Sequence, residues 1–338
     1  MIKSRKVGNA CVARVSRRGL AAFFAFTMAE ILLSLTIIGV VAAITLPSLM
    51  GNINERTWNT QRKALHARMS QAIAMMPQLN GYGKHETDSD GNVTDTATEA
   101  FLTEGLSKVL KINNICDNEH LNDCGIANSM TTFGGTTKTW SSSVMLSDLR
   151  WNFSDPMTGL SGAGIDYKAA AFETQNGESV LTFYNPNCQS VDYYIGTSYQ
   201  VFISPYMCVN FVYDLNGNKG PNTMGKDVGF ITVLRGETQD IVVAPMPIAT
   251  QSSERFNTYE LAATNCVETD AQSRVPNIYE LHALFYNYDL IGNMSSLSYY
   301  SSSKITSGQK ALMDSRQSLE MWRGTYGSDP TTVRCVKR

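Results

Sequence analysis

The sequence predicts an α+β protein, and three features in chain order lead to this prediction. A 25-residue apolar run, Phe26–Met50, is followed by residues whose apolar positions recur with the 3.6-residue period of an α-helix. Residues 179–244 contain short runs rich in β-branched and aromatic residues, which are typical of an antiparallel sheet. Two further helical patterns follow in residues 249–338. We expect a leader, a long helix that is transmembrane in its first half, a globular domain and a C-terminal α+β unit, at residues 1–25, 26–80, 81–248 and 249–338.

The apolar run Phe26–Met50 has the length of a membrane-spanning helix. At about 1.5 Å per residue it extends roughly 37 Å, enough to cross the hydrocarbon core of a bilayer. Its single charged residue is Glu30, and a carboxylate at that depth costs on the order of 2.5–3.5 kcal/mol, which marks the residue as functional. Six Lys and Arg residues and no acidic residue precede the run, so we expect residues 1–25 on the cytoplasmic side.

A plain signal anchor and a cleaved secretory signal are the alternatives for this segment. A secretory signal has an apolar region of 7–15 residues that is followed by a small-residue cleavage site. Here the apolar run is longer, and the small residue Ala25 lies before it. A plain anchor has no need of an acidic residue at the edge of its apolar run.

Residues 25–30, with the sequence A-F-T-M-A-E, resemble the processing site of type IV prepilins and type II secretion pseudopilins. In that family a membrane peptidase cuts before the phenylalanine, here Phe26, methylates the new amino terminus, and leaves a glutamate at the fifth mature position, here Glu30. Gly39 and Pro47 stand at mature positions 14 and 22, where type IV pilin helices also carry helix-weakening residues. The sequence departs from the family at Ala25, where glycine is usual, and in the length of its leader.

The resemblance implies a fold, a location and a set of partners. The fold would be the pilin fold, in which a long N-terminal helix packs on an antiparallel sheet. The protein would sit in the inner membrane with its C-terminal domain outside the cytoplasm, and then move into a pilus or a periplasmic pseudopilus. Its partners would be the prepilin peptidase, the inner membrane with its assembly platform, and other pilin or pseudopilin subunits.

The position of Glu30 leads to a hypothesis about assembly. A carboxylate buried alone is protonated or strongly destabilising. In a filament of staggered helices, Glu30 can instead face the terminal ammonium group of Phe26 on a neighbouring subunit. A buried ion pair that loses one partner is costly, so such a pair determines register more than it adds stability.

The composition of the mature chain argues against nucleic-acid binding. Removal of residues 1–25 from the 338-residue chain leaves 313 residues, enough for about two domains. The loss of six positive charges shifts the formal net charge from −2 to −8. Nucleic-acid-binding proteins usually present a basic surface, so we expect no nucleic-acid partner.

The mature chain keeps six cysteines, an even number, and the expected topology places them outside the cytoplasm, where disulfides persist. Six cysteines allow 15 sets of pairs, so the spacing alone does not determine the pairing. We predict pairs within each region. The last pair would close a loop of about 70 residues and stabilise the fold by roughly 4 kcal/mol. The three predicted pairs are Cys116–Cys124, Cys188–Cys208 and Cys266–Cys335.

Between the apolar run and the sheet, the pattern predicts two helices and much irregular structure. The first helix continues past Pro47, and Pro77 with an Asn80-Gly81 turn signal ends it. Residues 81–98 are polar and rich in turn residues, which indicates a surface loop. A short helix is expected at Glu99–Lys111, and residues 112–175 are expected to be mostly irregular. The apolar face of the first helix consists of Leu65, Met69, Ala72, Ile73 and Met76.

Five short runs in residues 179–244 predict the strands of the sheet. The predicted strands are Ser179–Tyr184, Tyr199–Ser204, Tyr206–Tyr213, Val228–Leu234 and Asp240–Ala244.

The link between two of these strands is a candidate calcium site. Asp214, Asn216 and Asn218 alternate as oxygen ligands do in calcium loops, and Asp227 follows before the next strand. An EF-hand is excluded, because its glycine and glutamate positions hold other residues and strands flank the loop. The stretch resembles the sheet loop of pilins and pseudopilins, some of which bind calcium there. The alternative is a hairpin whose Asn, Gly and Pro residues serve turn geometry alone.

Residues 249–338 form the second compositional unit. Helices are expected at Tyr259–Cys266 and Asn277–Asn287, and Asn277 with Glu280 resembles a capping box. The order R-V-P-N-x-x-E-L, Y-Y-S-S and R-C-V resembles the bacterial C-type-lectin-like domains at the C-termini of some surface adhesins. The resemblance implies a compact unit closed by the Cys266–Cys335 disulfide, and it identifies no ligand.

No motif in the sequence indicates an enzyme. A nucleophile elbow, a phosphate-binding loop and a dinucleotide fingerprint are all missing. Cys116, His120 and Cys124, with Asp117 or Asp123, could hold zinc, but the spacing is not a standard zinc pattern and an oxidising compartment favours a disulfide.

Two functional hypotheses follow from the sequence. The first is a structural subunit of a type IV pilus or type II secretion pseudopilus. The second is a minor pilin at the filament tip, an adhesin that binds a surface or a partner through its C-terminal domain.

Overall fold

The structure is a computed structural model of the chain. It divides the chain into two compact units, Met1–Asn54 and Glu55–Arg338. Only the backbone is described for residues 45–54, 194–195, 201–202, 237–240, 298, 304, 310–314 and 320–324. The structure describes residues 27–76, 88–140, 143–149, 166–186, 194–195, 201–202, 207–234, 237–240, 259–292, 298–304, 310–314, 320–324 and 332–337.

The described residues form an α+β fold with antiparallel strand pairing, as the sequence predicts. The helices are α1 Met28–Met75, α2 Asp95–Ala100, α3 Tyr259–Thr269, α4 Ile278–Tyr286 and α5 Tyr288–Ile291. The strands are β1 Ile112–Cys116, β2 Ser129–Thr131, β3 Thr137–Thr139, β4 Ala170–Thr174, β5 Ser179–Tyr184, β6 Tyr194–Ile195, β7 Val201–Phe202, β8 Met207–Asp214, β9 Val228–Leu234, β10 Glu237–Asp240, β11 Ser273–Arg274, β12 Ser298–Lys304, β13 Lys310–Asp314, β14 Glu320–Gly324 and β15 Val336–Lys337.

Helix α1 has 48 residues, and its backbone stays helical through Gly39 and Pro47. It ends at Met75, two residues before Pro77. This agrees with the rule that the residue before a proline disfavours the helical conformation. The predicted helix extended to residue 80, but residues 77–80 lie outside the described part of the chain. Among the residues that the structure describes, no helix combines the length and the hydrophobicity that a membrane span requires.

The main sheet has six antiparallel strands in the order β1-β4-β5-β8-β9-β10. The predicted bounds of β5 and β9 are confirmed, and β8 differs from its prediction by one residue at each end. Of the predicted strand Tyr199–Ser204, only residues 201 and 202 are described, and they form β7, which pairs with β6 in a separate ribbon. Strand β10 ends where the strand Asp240–Ala244 was expected to begin, and residues 241–244 lie outside the described residues.

The expectation of mostly irregular structure in residues 112–175 is wrong at both ends of that range. Strand β1 forms an edge of the main sheet by pairing with β4. Asn113 and Asn114 give β1 a low strand propensity, so its pairing with β4 decides its conformation. The predicted helix Glu99–Lys111 is confirmed as far as Lys108. The helical path starts earlier than predicted, at Asp95, and continues through a π-turn to Lys108. The predicted surface loop 81–98 therefore includes the start of a helix.

The first face of the sheet is covered by the second half of α1 and by the helical segment 95–108. Side chains along the strands alternate between the two faces, so Val180 and Phe211 point to this side. The predicted apolar face of α1 is buried here, as the 3.6-residue pattern implies. The cluster includes Leu65, Met69, Ala72, Ile73, Met76, Phe101, Leu102, Leu106, Val180, Tyr184, Phe211 and Ile231.

The second face of the sheet is covered by α4, α5 and residues of the 121–149 segment. Leu181, Phe183 and Phe230 lie in one hydrophobic cluster with Leu281 and Phe285 of α4. Residues of the expected C-terminal unit thus share a core with the sheet. The expected boundary between residues 248 and 249 lies outside the described residues.

A buried polar network holds the end of α4 against the sheet. Asn210 of β8 and Asn287, which follows α4, are fully buried, and each side-chain amide donates to the other's oxygen at 2.9 and 3.1 Å. Thr232 of β9 donates to Asn210 Oδ1 at 2.7 Å. Because buried polar groups are costly unless they are paired, this network favours one position of α4 on the sheet.

Two local features that the sequence predicts in the last third of the chain are confirmed, the capping box and the Cys266–Cys335 disulfide. Asn277 Oδ1 accepts from the Glu280 backbone N–H and Glu280 accepts from the Asn277 N–H, which completes the capping box. Arg274 donates two hydrogen bonds to the Glu280 carboxylate. The Cys266–Cys335 disulfide connects α3 to the segment before β15.

We expect Gly229→Ala to destabilise the fold by about 2 kcal/mol, as overpacking of a buried site does. Gly229 lies opposite Tyr213 in the β8–β9 pair, and a Cβ atom at residue 229 would come within 3.0 Å of the Tyr213 ring. Chemical denaturation of the purified protein measures the change. In a Tyr213→Ala background the same substitution should cost much less, and equal costs in the two backgrounds would contradict the explanation.

Candidate functional site

The predicted processing residues Ala25 and Phe26 lie outside the described residues, the first of which is Thr27. The assembly residues Glu30 and Gly39 lie in α1, where a Cβ atom on Gly39 would contact nothing within 4 Å. Pro47 lies in the same helix, in the part for which only the backbone is described.

Glu30 takes part in a capping interaction at the start of α1. The backbone N–H and the hydroxyl of Thr27 both donate to Glu30 Oε2 at 2.9 Å, and the Glu30 N–H donates to Thr27 Oγ1 at 3.3 Å. Thr27 and Glu30 have the spacing of a capping box. Our sequence reasoning missed this local role, although the T-x-x-E pattern could have revealed it.

The first part of α1 presents a continuous apolar surface. Ten large apolar side chains between Met28 and Ile44 are each at least 42% exposed. The hydroxyl groups of Ser34 and Thr36 donate to the backbone carbonyls of Ile31 and Leu32 within the helix. These hydroxyl groups are therefore satisfied by the backbone of the helix itself.

The candidate calcium loop joins β8 to β9 and contains a buried carboxylate. Asp214, the last residue of β8, is 8% exposed, and its Oδ1 accepts from the Asn216 N–H at 3.1 Å. The pKa of Asp214 is raised to about 7, chiefly by burial; the Asn216 hydrogen bond acts in the opposite direction, and the neighbouring Asp227 carboxylate adds to the rise. Asn216 Oδ1 is shielded from solvent and has no hydrogen-bond partner among the described residues.

The other two predicted ligands have different surroundings. Asp227 is fully buried, and its two oxygens accept from the backbone N–H groups of Asn222 and Thr223 at 2.9 and 2.8 Å. It therefore holds the loop in shape. Asn218 is exposed on a short 3₁₀ turn.

A hard cation fits part of this loop. Calcium takes oxygen ligands, and Asp214 with the orphaned Asn216 Oδ1 supplies two acceptors whose burial is unfavourable without a positive charge or a donor. Within the described part of the chain, no three or more His, Cys, Asp or Glu side chains are placed to hold a metal ion. A calcium ion here would take its remaining ligands from backbone carbonyls or water.

Arg62 attaches this loop to α1, a role that the sequence pattern did not predict. The side chain is 4% exposed. Its Nη2 donates to the carbonyl oxygens of Gly225 and Lys226 at 3.2 and 2.8 Å, and its Nη1 donates to Asn59 Oδ1 at 3.1 Å. The only signal in the sequence is its position three residues before the buried Leu65.

The cysteines of the described residues are in disulfides, and two of the three predicted pairs are confirmed. These are Cys116–Cys124 and Cys266–Cys335. Cys208 is also disulfide-bonded, and its predicted partner Cys188 lies outside the described residues. Because the first disulfide occupies both thiols of the zinc alternative, the structure contradicts that alternative.

Two histidines have distinct environments. The exposed His120 ring lies 2.7 Å from an Asp117 oxygen, and this interaction raises the pKa of His120. His282 in α4 is fully buried, and burial lowers its pKa to about 3. It is a neutral core residue at neutral pH.

Comparisons with protein-family models, with curated proteins and with solved structures found no match to this chain. The conclusions about function therefore depend on the sequence patterns and on the geometry described above.

Proposed function

We propose that this protein is a structural subunit of a type IV pilus or a type II secretion pseudopilus with a pilin fold. A prepilin peptidase would cut between Ala25 and Phe26, and α1 would then associate with the helices of neighbouring subunits. The observation that carries this proposal is the exposed apolar surface between Met28 and Ile44. Exposed apolar surface of this extent marks an interface with protein or lipid.

The structure of the second unit is compatible with this role. The second half of α1 packs on an antiparallel sheet through its apolar face, which is the arrangement that the pilin resemblance implies. Arg62 and Arg68 add polar attachments, since Arg68 forms an ion pair with the buried Glu178 of the β4–β5 turn. One helix would thus serve assembly with its first half and hold the globular unit with its second half.

The proposed location follows from the same segment. Before assembly, residues 26–50 would lie in the inner membrane, with the second unit outside the cytoplasm, where the two confirmed disulfides are stable. The side chains of residues 45–50 lie outside the described part of the chain. The assembly platform would then move the subunit from the lipid into the filament, where other subunits cover the apolar surface.

Mass spectrometry of the N-terminus of the protein purified from its cells tests the proposal. We expect a mature chain that begins at Phe26 and carries a methyl group on its terminal nitrogen. An Ala25→Glu variant, with a bulky charged side chain before the cleavage point, should keep residues 1–25. A native chain that still starts at Met1, or one that is cut after the apolar run, would contradict the proposal.

A further inference from the structure

The described side chains of Glu55–Arg338 include three large apolar residues that are more than half exposed, and they lie on two surfaces. Met75 is 60% exposed at the end of α1, whereas Leu261 and Val267 are 55% and 54% exposed on α3. Scattered exposed apolar residues are normal in proteins. Here the two surfaces also carry opposite charges, which makes them complementary.

The first surface is a groove of about 450 Å³ beside the end of α1, which we call the α1 groove. Met75, Val109 and Leu110 form its apolar part. Its charged lining residues are Arg68, whose charge is balanced by the buried Glu178, and Lys111, which gives the groove its net positive charge. The groove volume is within the range of about 300–1,000 Å³ that is usual for binding clefts.

The second surface is the outer face of α3, which we call the α3 face. The helix is anchored by the buried Ala262 and Cys266. The residues on the opposite side recur at the three- and four-residue spacing of one helical face. The α3 face presents two apolar and two acidic side chains around a threonine, and its exposed residues are Glu260, Leu261, Thr264, Val267 and Glu268.

We propose that the α3 face of one subunit docks into the α1 groove of a second copy of this chain. The apolar residues Leu261 and Val267 would cover Met75, and the two glutamates would lie near Lys111. An amphipathic helix that lies in an apolar groove is a common mode of recognition. The charges oppose contacts between like surfaces. Two α1 grooves would bring cations together, and two α3 faces would bring acidic side chains together.

Because the two surfaces differ, the contact is heterologous, and a heterologous contact produces a ring or an open filament. This inference deepens the proposed function and rests on it. Helix α3 has only 11 residues, so the contact alone is smaller than a stable interface of about 800 Å² per partner. It would hold only where the α1 helices already bring subunits together, as in multivalent binding.

A photo-crosslinker in place of Met75 tests the contact in assembled protein. We expect ultraviolet irradiation of sheared filaments to link residue 75 to a peptide that includes residues 260–268. A mixture of isotopically light and heavy subunits should give links of mixed label, which shows that two copies are joined. The matched control is the same probe at Ala67, which is exposed on α1 outside the groove and should give no such link.

Charge reversal provides the second measurement. Lys111→Glu alone should reduce the yield of filaments about tenfold, as expected for like charges brought together, and so should Glu260→Lys with Glu268→Lys. The three changes combined should restore the yield to within about twofold, because the complementarity is reversed as a whole. Lys108→Glu is the control, because this exposed lysine is nearby but does not line the groove.

The outcomes separate the contact from the proposed function. Filaments that form normally but show no link from residue 75 to α3, or a link to a different protein, would overturn the contact and leave the subunit role intact. Charge reversals without effect, or without rescue, would also overturn it. If the wild-type protein forms no filaments and keeps residues 1–25, both the subunit role and the contact are wrong.

Discussion

Filament formation should be lost, by at least about tenfold, when Glu30 is replaced by glutamine, while cleavage before Phe26 remains largely intact. The expected reason is the charge: a buried ammonium group on a neighbouring Phe26 that loses its carboxylate partner is strongly destabilising, by about 3–5 kcal/mol. Quantification of sheared filaments and of the mature subunit in the membrane fraction measures the two effects separately.

The capping interaction of Glu30 offers a different explanation, and the choice of glutamine distinguishes the two. Glutamine can still accept the hydrogen bond from the Thr27 N–H, so Glu30→Gln keeps the cap and removes the charge. Thr27→Ala is the matched control, because it removes the hydroxyl that bonds Glu30 and keeps the charge, at a cost of about 1 kcal/mol. We expect assembly in Thr27→Ala and loss of assembly in Glu30→Gln. Normal filaments from Glu30→Gln would contradict the charge hypothesis.

The second large effect is expected at Asp214 in metal-free protein. Its pKa is raised to about 7 in the folded state, whereas an unfolded chain has a value of about 3.9. Between these two values the folded state holds a proton that the unfolded state has lost. Asp214 therefore makes its full contribution to the free energy of unfolding below about pH 4. As the pH rises to about 7, this free energy falls by up to about 4 kcal/mol. Asp214→Asn should remove this loss, so the variant should be more stable than the wild type at pH 8.

If the loop binds calcium, the ion should make the wild type more stable than Asp214→Asn at pH 8. An ion bound by Asp214 and Asn216 Oδ1 compensates the buried charge, so millimolar calcium should raise the melting temperature of the wild type at pH 8 by several degrees, and EDTA should lower it again. Asp214→Asn should respond weakly to calcium. Asn218→Ala is the matched control, because this side chain is exposed and its removal should leave the response unchanged. A wild-type protein whose stability is the same in calcium and in EDTA would exclude a calcium site that stabilises the fold.

The sequence predictions were accurate for features that depend on residues close together in the chain, and they failed for features that depend on distant residues. Strands β5 and β9 were predicted with their observed bounds because their own residues are β-branched and aromatic. The start of α4 was predicted because the Asn277–Glu280 capping box lies within four residues. Strand β1 was missed because its asparagines disfavour a strand and its pairing with β4 joins residues about 60 positions apart.

The candidate site shows the same division. The proximity of Asp214 and Asn216 could be predicted, because two residues separated by one position at the end of a strand stay close. The burial of Asp214 and the use of both Asp227 oxygens by backbone groups could not be predicted. They depend on how the loop folds back on itself, and no pattern of residue types specifies that path.

The sequence by itself determined the apolar run with its single acid, the helical face from Leu65 to Met76, and the six cysteines that follow residue 25. These properties depend on residues that are neighbours along the chain. Only the tertiary structure decided that Arg62 donates to carbonyls 163 and 164 residues away, and that Asn210 pairs with Asn287 inside the core. A polar side chain can be buried only where distant backbone or side-chain groups satisfy it, and the complete fold is what brings those groups together.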